Sequence, residues 1–422
     1  MRSIAAVTAL VDASRRRESA RWGWIVVAAA FTVMFIALGS TYTFPAFFAP
    51  LQQEFGAPRA SLSWAFSIGV AIYFAVGALS GPLTDRFGAR WVVLTGMILV
   101  GAGLIVAARA TSLWALYLGI GLGLGIGVGF AYVPSISAVQ RWFVLRRGFA
   151  SGIAVSGIGV GTLVMPKIAE ALIDQLGWRG AYLTLGLLAV VGGGLAALFV
   201  DNSPERRGLL PDGGVASGAP PARGELPGMS VGEALRSKPF RLLYIASVLA
   251  SIGLFMPFVH LTPSAEDRGV EHSTAVTLFA LIGVGSTAGR FLIGGIADRL
   301  GRRRSLMMMF AGIAVMLGWW MIANTAFGLG VFALMFGACY GGYVALAPAL
   351  LADYFGPRNA SGIIGLAYTA GALGTLLGPP LAGYAFDVSG SYVLPIAGAA
   401  LAALLSAALV SLLDEPGAAP RP

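Results

Sequence analysis

Gly294-Gly295-Ile296-Ala297-Asp298-Arg299-Leu300-Gly301-Arg302-Arg303-Arg304 has a close copy earlier in the chain, Gly81-Pro82-Leu83-Thr84-Asp85-Arg86-Phe87-Gly88-Ala89-Arg90. Both follow the spacing Gly-x-x-x-Asp-Arg-x-Gly-x-Arg, and Asp85 and Asp298 stand 213 positions apart, about half of the 422 residues. Each copy lies between the second and third long apolar segments of its own half. Each therefore reads as a short polar turn joining two helices, and the chain reads as two related halves.

The surrounding sequence is 57% hydrophobic and 11% charged, far from the balance of a soluble domain. Twelve apolar segments can be counted, each close to the roughly 20 residues that a helix needs to cross a bilayer. Backbone groups in hydrocarbon need internal partners, and segments of this length rich in Gly, Ala and Leu satisfy them as helices rather than as the short alternating strands of a barrel. A soluble all-helical protein is excluded because too little polar sequence remains to coat it. The expected fold is an all-α integral membrane protein with twelve transmembrane helices in two pseudo-symmetric six-helix bundles. Its expected divisions are an N-terminal tail at 1–21, a bundle at 22–200, a linker at 201–241, a second bundle at 242–412 and a C-terminal tail at 413–422.

The net charge of +9 does not point to nucleic acid. With the N-terminus in the cytoplasm, 22 of the 28 Lys and Arg fall on the cytoplasmic side and 5 near the opposite face. That is the positive-inside distribution, and it makes membrane lipid the partner of the basic excess. The expected location is a cell membrane, read as a bacterial inner membrane, with both termini cytoplasmic and a monomer as the working unit. The single Cys339 lies in an apolar segment and supports neither a disulfide framework nor a metal site. No phosphate loop, metal-ligand cluster or nucleophile–base pair stands out, so neither an enzyme nor a cofactor is expected.

Several segments are unlike simple anchors. The first breaks its apolar run at Gly39-Ser40-Thr41-Tyr42-Thr43-Phe44-Pro45, and the seventh ends in Pro257-Phe258-Val259-His260-Leu261-Thr262-Pro263. The fourth carries glycines at 119, 121, 123, 125, 127 and 129. Glycines four apart stack on one helical face, so these make two rows for close approach by neighbours. In the linker, Met229 to Arg236 reads as a short amphipathic helix.

Internal repetition in a polytopic protein points to alternating access between the halves, so function is sought among polar residues stranded inside helices. Arg290 is the strongest candidate. It lies eight residues before Asp298, hence about 12 Å deeper by helical rise. A guanidinium there stays charged and needs an anion or water, yet no Asp or Glu falls in the interior of the twelve segments. A substrate carboxylate, which accepts the bidentate fork, is the expected partner. His260 is a second candidate, because its titration lies near physiological pH and fits proton coupling. Tyr42, Tyr132, Tyr340, Tyr343 and Tyr368 offer hydroxyls within segments one, four, ten and eleven. As a set they suit a small, partly apolar anion. The repeated turns, with Asp85, Arg86, Arg90, Asp298, Arg299 and Arg302, read as gates that pair with neighbouring segments.

The twelve segments, central linker and two Asp-Arg turns resemble the major facilitator superfamily over residues 22–412. Within it, Trp22-Gly23-Trp24, Arg141-Trp142-Phe143 through Arg147, Ala150-Ser151-Gly152 and Tyr354-Phe355-Gly356 through Gly362 resemble the monocarboxylate porter and oxalate/formate antiporter branches. The resemblance implies that Arg290 engages a substrate carboxylate and that His260 and Tyr132 lie near the pathway. Two departures stand out. Animal carriers of that kind place a lysine after the segment-one Phe-Pro, where this chain has Ala46, and an aspartate four residues before the segment-eight arginine, where it has Ser286. Tyr368 occupies the region where oxalate carriers bear a second positive charge. The expected function is secondary active transport of small organic monocarboxylates with proton symport carried differently, by His260 or by the substrate's own carboxyl group. The competing expectations are an oxalate/formate-type exchanger, a proton-driven exporter of hydrophobic compounds, and a structural membrane protein.

Overall fold

The computed structural model describes residues 2–143, 145–211, 228–356 and 358–415. The side chains of Asp298, Arg147 and the basic run Arg15-Arg16-Arg17 lie outside the described residues.

The first crossing is made by α1 (Arg2–Thr41) and α2 (Phe44–Phe55), interrupted at Tyr42 and Thr43. Pro45 in the first turn of α2 has no N–H to donate and is at home there. Next come α3 (Arg59–Phe87) and α4 (Ala89–Ala108). The fourth crossing begins at α5 (Leu113–Leu116), widens to π-helix over Tyr117–Leu124 and continues as α6 (Gly125–Trp142). The continuous stretch α7 (Arg147–Leu188) contains Gly177 at φ 70 and ψ 167, a conformation that breaks a helix. It is therefore two crossings, the second running on through a π turn into α8 (Gly194–Ala197).

The second half opens with α9 (Val231–Arg236), at the place of the expected amphipathic turn and closed by a capping box between Ser230 and Glu233. It continues with α10 (Lys238–Leu254), α11 (Pro257–Glu266), α12 (His272–Leu300), α13 (Arg302–Ile322), α14 (Ala326–Phe355), α15 (Ala360–Ser389) and α16 (Val393–Ser411). Among the described residues, eleven helical stretches are long and apolar enough to span a membrane, and the break at Gly177 divides one of them to give twelve. Trp114, Phe327 and Leu394, at 75%, 83% and 73% exposure, are side chains that lipid rather than water would cover.

The repeat is structural as well as sequential. Asp85–Arg86 and Asp298–Arg299 complete the last turns of α3 and α12, and the chain reverses at Gly88 (φ 85, ψ 149) and Gly301 (φ 85, ψ 146). A side chain is strained in that left-handed region, which explains a glycine at both places. The breaks repeat too: Tyr42, between α1 and α2, and Phe255, between α10 and α11, are also 213 positions apart.

Both glycine rows of the fourth crossing are occupied. Along one, a Cβ on Gly119 or Gly127 would come within 2.6 Å of the Gly103 or Gly96 carbonyl on α4. Along the other, a Cβ on Gly125 would stand 2.7 Å from the Gly69 carbonyl on α3. The two halves meet along two main seams, α3 against α15 and α7 against α12, with a smaller contact of α2 against α11.

Candidate functional site

Between the halves lies a cavity lined by residues of both. Both helix breaks reach it, through Tyr42 and Phe255, and so do Tyr132, Arg290, Tyr340, Tyr343 and Tyr368. Tyr73, Phe74, Ser251 and small aliphatic residues complete the wall. Six of the seven residues expected to meet substrate are thus brought together. Arg290 is the one charged residue among the lining side chains.

The arginine is placed by tight helix packing. A Cβ on Gly285 would stand 2.1 Å from the Leu334 carbonyl and one on Gly289 2.0 Å from that of Ala338, so α12 touches α14 backbone to backbone. This contact fixes which way the next residue points. Arg290 Nη1 donates to the Val155 carbonyl at 3.3 Å, across the seam, while its buried Nε has no hydrogen-bond partner among the described residues. No carboxylate among the described residues pairs with it. Tyr42, Tyr132, Tyr340 and Tyr368 lie within electrostatic reach of the guanidinium. The site thus has a cation with hydrogen-bonding capacity left over, surrounded by phenols.

His260 stands apart from this lining. It is fully buried at the far face of the seam, away from the repeated turns, with Nε2 2.8 Å from the Pro379 carbonyl and 3.2 Å from Ser63 Oγ, and Nδ1 3.0 Å from Tyr392 Oη. A carbonyl only accepts, so Nε2 carries the proton and Nδ1 accepts from Tyr392. Tyr392 Oη in turn accepts from Arg59 Nη1 at 2.8 Å. The hydrogen bonds run in one direction, Arg59 to Tyr392 to His260 to Pro379.

Arg59 anchors the far face. It forks onto the Asp267 carboxylate with bonds of 2.6 and 2.7 Å and stacks 4.0 Å from the Phe386 ring centre. Asp387 accepts from the backbone N–H groups of Arg59 and Ala60 at 3.0 and 2.9 Å, capping α3 from the opposite half. Lys167, paired with the buried Glu170, also donates to Ser273 Oγ at 3.0 Å across the second seam.

At the repeat face the ion pairs among the described residues stay within one half. Asp85 meets Arg141 at 2.7 Å, Arg90 meets Asp201 at 3.6 Å, and Arg302 meets Asp353 at 2.6 Å. Arg86 lies over the Phe87 ring, and Arg299 is exposed. Among the described residues, polar bonding between the halves is thus concentrated at the far face, with Arg290 bridging deeper in.

Sequence reasoning passed over Tyr73, Phe74 and Phe255 in the cavity and Arg59, Asp267, Asp387 and Tyr392 in the seal. The 213-residue register offered one of them, since Phe255 is the counterpart of Tyr42. Charges at the rim of a span carry no comparable mark.

Comparison with known proteins agrees with this architecture. The family model of the Major Facilitator Superfamily matches residues 29–336 and 277–422. Monocarboxylate transporter 13 of Bos taurus is 31% identical over 386 residues, 90% of this chain and 87% of its own. Monocarboxylate transporter 11 of Homo sapiens is 30% identical over 381 residues, covering 88% and 78%. Monocarboxylate transporter 2 of Mesocricetus auratus is 32% identical over 391 residues, covering 88% and 79%. The matched profile, the twelve crossings and the twice-occurring Asp-Arg turn lead to one assignment: the chain belongs to the Major Facilitator Superfamily.

Proposed function

We propose that this protein carries small organic monocarboxylates across the membrane by alternating access of the central cavity. The observation behind this reading is Arg290, the single charged residue among the described side chains of the cavity wall, with a buried Nε that no described residue satisfies. A carboxylate would accept from the fork and restore the missing hydrogen bond. One cation suits one carboxylate, which favours monoanions over dianions. The names of the mammalian relatives agree with that cargo.

The repeat face is read as cytoplasmic, so that the sealed far face looks outward and the cavity is in its inward-facing phase. Opening the far face must part Arg59 from Asp267, Asp387 and Tyr392, because Arg59 belongs to one half and its partners to the other. The repeated turns would then guard the cytoplasmic side in the alternate state.

Proton coupling is assigned to His260 acting through the seal. Protonation puts a second N–H on Nδ1, facing Tyr392 Oη, which already accepts from Arg59. The hydroxyl would have to satisfy two cationic donors at once and could no longer donate to the ring. A proton arriving from outside therefore favours parting of the far face. It enters beside the gate while the carboxylate binds at Arg290.

The test is counterflow into proteoliposomes. Saturable exchange of a labelled monocarboxylate, poorly competed by dicarboxylates, is expected. Movement of apolar cations or neutral compounds, with no saturable movement of any carboxylate, would replace this reading by that of a hydrophobic-compound exporter.

A further inference from the structure

Resting on the carboxylate reading above, we infer that the preferred cargo is an aromatic monocarboxylate: a carboxyl group attached directly, or through one carbon, to a planar ring.

The cavity wall carries the argument. Half of its sixteen described lining residues are aromatic, and apart from Arg290 and the tyrosine hydroxyls their polar side-chain chemistry is one serine, Ser251. A hydroxy acid of two or three carbons carries its hydroxyl beside the carboxylate, where the tyrosine hydroxyls around Arg290 can meet it, but it has no apolar body to cover the rings beyond. A sugar acid or amino acid is still less suited, because the lining holds no carboxylate or carboxamide for an ammonium group or a set of hydroxyls.

The rings also have an arrangement. Phe74, from the first half, lies 6.0 Å from Phe255 at an interplanar angle of 77° and 6.0 Å from Tyr368 at 58°, both in the second half. Phe255 stands edge-on to Tyr340 at 6.3 Å and 75°. Such tilted and edge-to-face contacts give an arriving aryl ring both faces and edges to meet, the geometries in which aromatic pairs gain beyond the burial of area. Phe74 can approach because residue 371 is glycine: a Cβ there would stand 3.2 Å from the Phe74 ring. Tyr340 and Tyr368 are at once members of this group and neighbours of the Arg290 charge. A carboxylate at Arg290 thus places its substituent among rings contributed by both halves. Cargo and closure would be linked through the aromatic body as well as through the charge.

Titration calorimetry on the purified full-length protein separates the alternatives, using benzoate, phenylacetate, cyclohexanecarboxylate, lactate and benzyl alcohol as probes. Benzoate or phenylacetate is expected to bind at least about tenfold tighter than lactate, and about fivefold tighter than cyclohexanecarboxylate, the near-isosteric ring without π electrons. Phe74→Leu should bring the benzoate-to-cyclohexanecarboxylate ratio close to one, a ratio that partial loss of folded protein does not change. Benzoate no tighter than lactate, or no tighter than cyclohexanecarboxylate, would overturn the aromatic preference and leave the carboxylate reading standing. Binding of benzyl alcohol with no binding of any acid would overturn both.

Discussion

Arg59 and Asp267 form a two-pronged ion pair across the seam between the halves, 208 residues apart in sequence and 2.6 and 2.7 Å apart at their paired atoms. The guanidinium side is well sheltered, at 11% exposure, and the carboxylate less so, at 34%. Charge-assisted forks of this kind exceed ordinary surface pairs, although the exposed carboxylate is partly screened. Arg59→Ala should therefore weaken the closed far face by about 1–2 kcal/mol, or roughly five- to thirtyfold in the ratio of closed to open. Maleimide labelling of a cysteine placed at Ser63, with Cys339 replaced by alanine, should accelerate accordingly. Unchanged labelling would mean that the pair does not hold the seal.

Two glycines make a matched contrast. A Cβ on Gly383 would meet Ala60 N at 2.6 Å and Cα at 2.7 Å across the seam, whereas a Cβ on Gly127 would meet α4 backbone within its own half at 2.6 Å. Overpacking of this kind costs about 1–3 kcal/mol. Gly383→Ala should open the far face while leaving the melting temperature nearly unchanged. Gly127→Ala should lower the melting temperature and leave the ratio of inward to outward labelling in the surviving protein unaltered. The reverse assignment of effects would mean that these contacts have been given to the wrong interfaces.

The Arg59–Tyr392–His260–Pro379 relay predicts the sign of the pH effect. On the proposed coupling, protonating His260 from outside would disfavour the closed seal, so monocarboxylate uptake into proteoliposomes should rise as the outer pH falls. The stimulation should be much smaller in His260→Gln, which keeps a neutral polar side chain in the gap. Tyr392→Phe removes the middle of the relay and should flatten the same profile. A His260→Gln protein whose uptake still follows the outer proton concentration as in the parent would remove this residue from the coupling.

The architecture was legible in the sequence because its causes are local. Apolar length marks the crossings, and the Asp-Arg turns mark the two halves. Pro45 and Pro257 mark where the first and seventh crossings break, and the glycine rows of the fourth crossing mark the approach of α3 and α4. Arg290 was legible for a related reason, since a charge in the interior of an apolar helix identifies itself. The far-face seal was not. Arg59 and Asp267 sit at the rims of their spans, where charges are ordinary, and only the three-dimensional meeting of α3 with α11 and α15 turns them into partners. His260 shows both sides: its chemistry drew notice in the sequence, but its burial beside Tyr392 and Pro379, outside the cavity lining, depends on contacts more than one hundred residues distant.

If Arg290, whose Nε lacks a partner among the described residues, binds the carboxylate of the cargo, ligand-dependent thermal stability of the purified protein will report it. A panel of mono- and dicarboxylates should be compared on the parent, Arg290→Lys and Arg290→Gln. Monocarboxylates should stabilise the parent by about 2.7 kcal/mol at a hundredfold excess over Kd. The effect should be weaker in Arg290→Lys, which keeps the charge without the fork, and absent in Arg290→Gln. An Arg290→Gln protein that is folded and stabilised by the same acids to the same extent would mean that Arg290 does not hold the cargo.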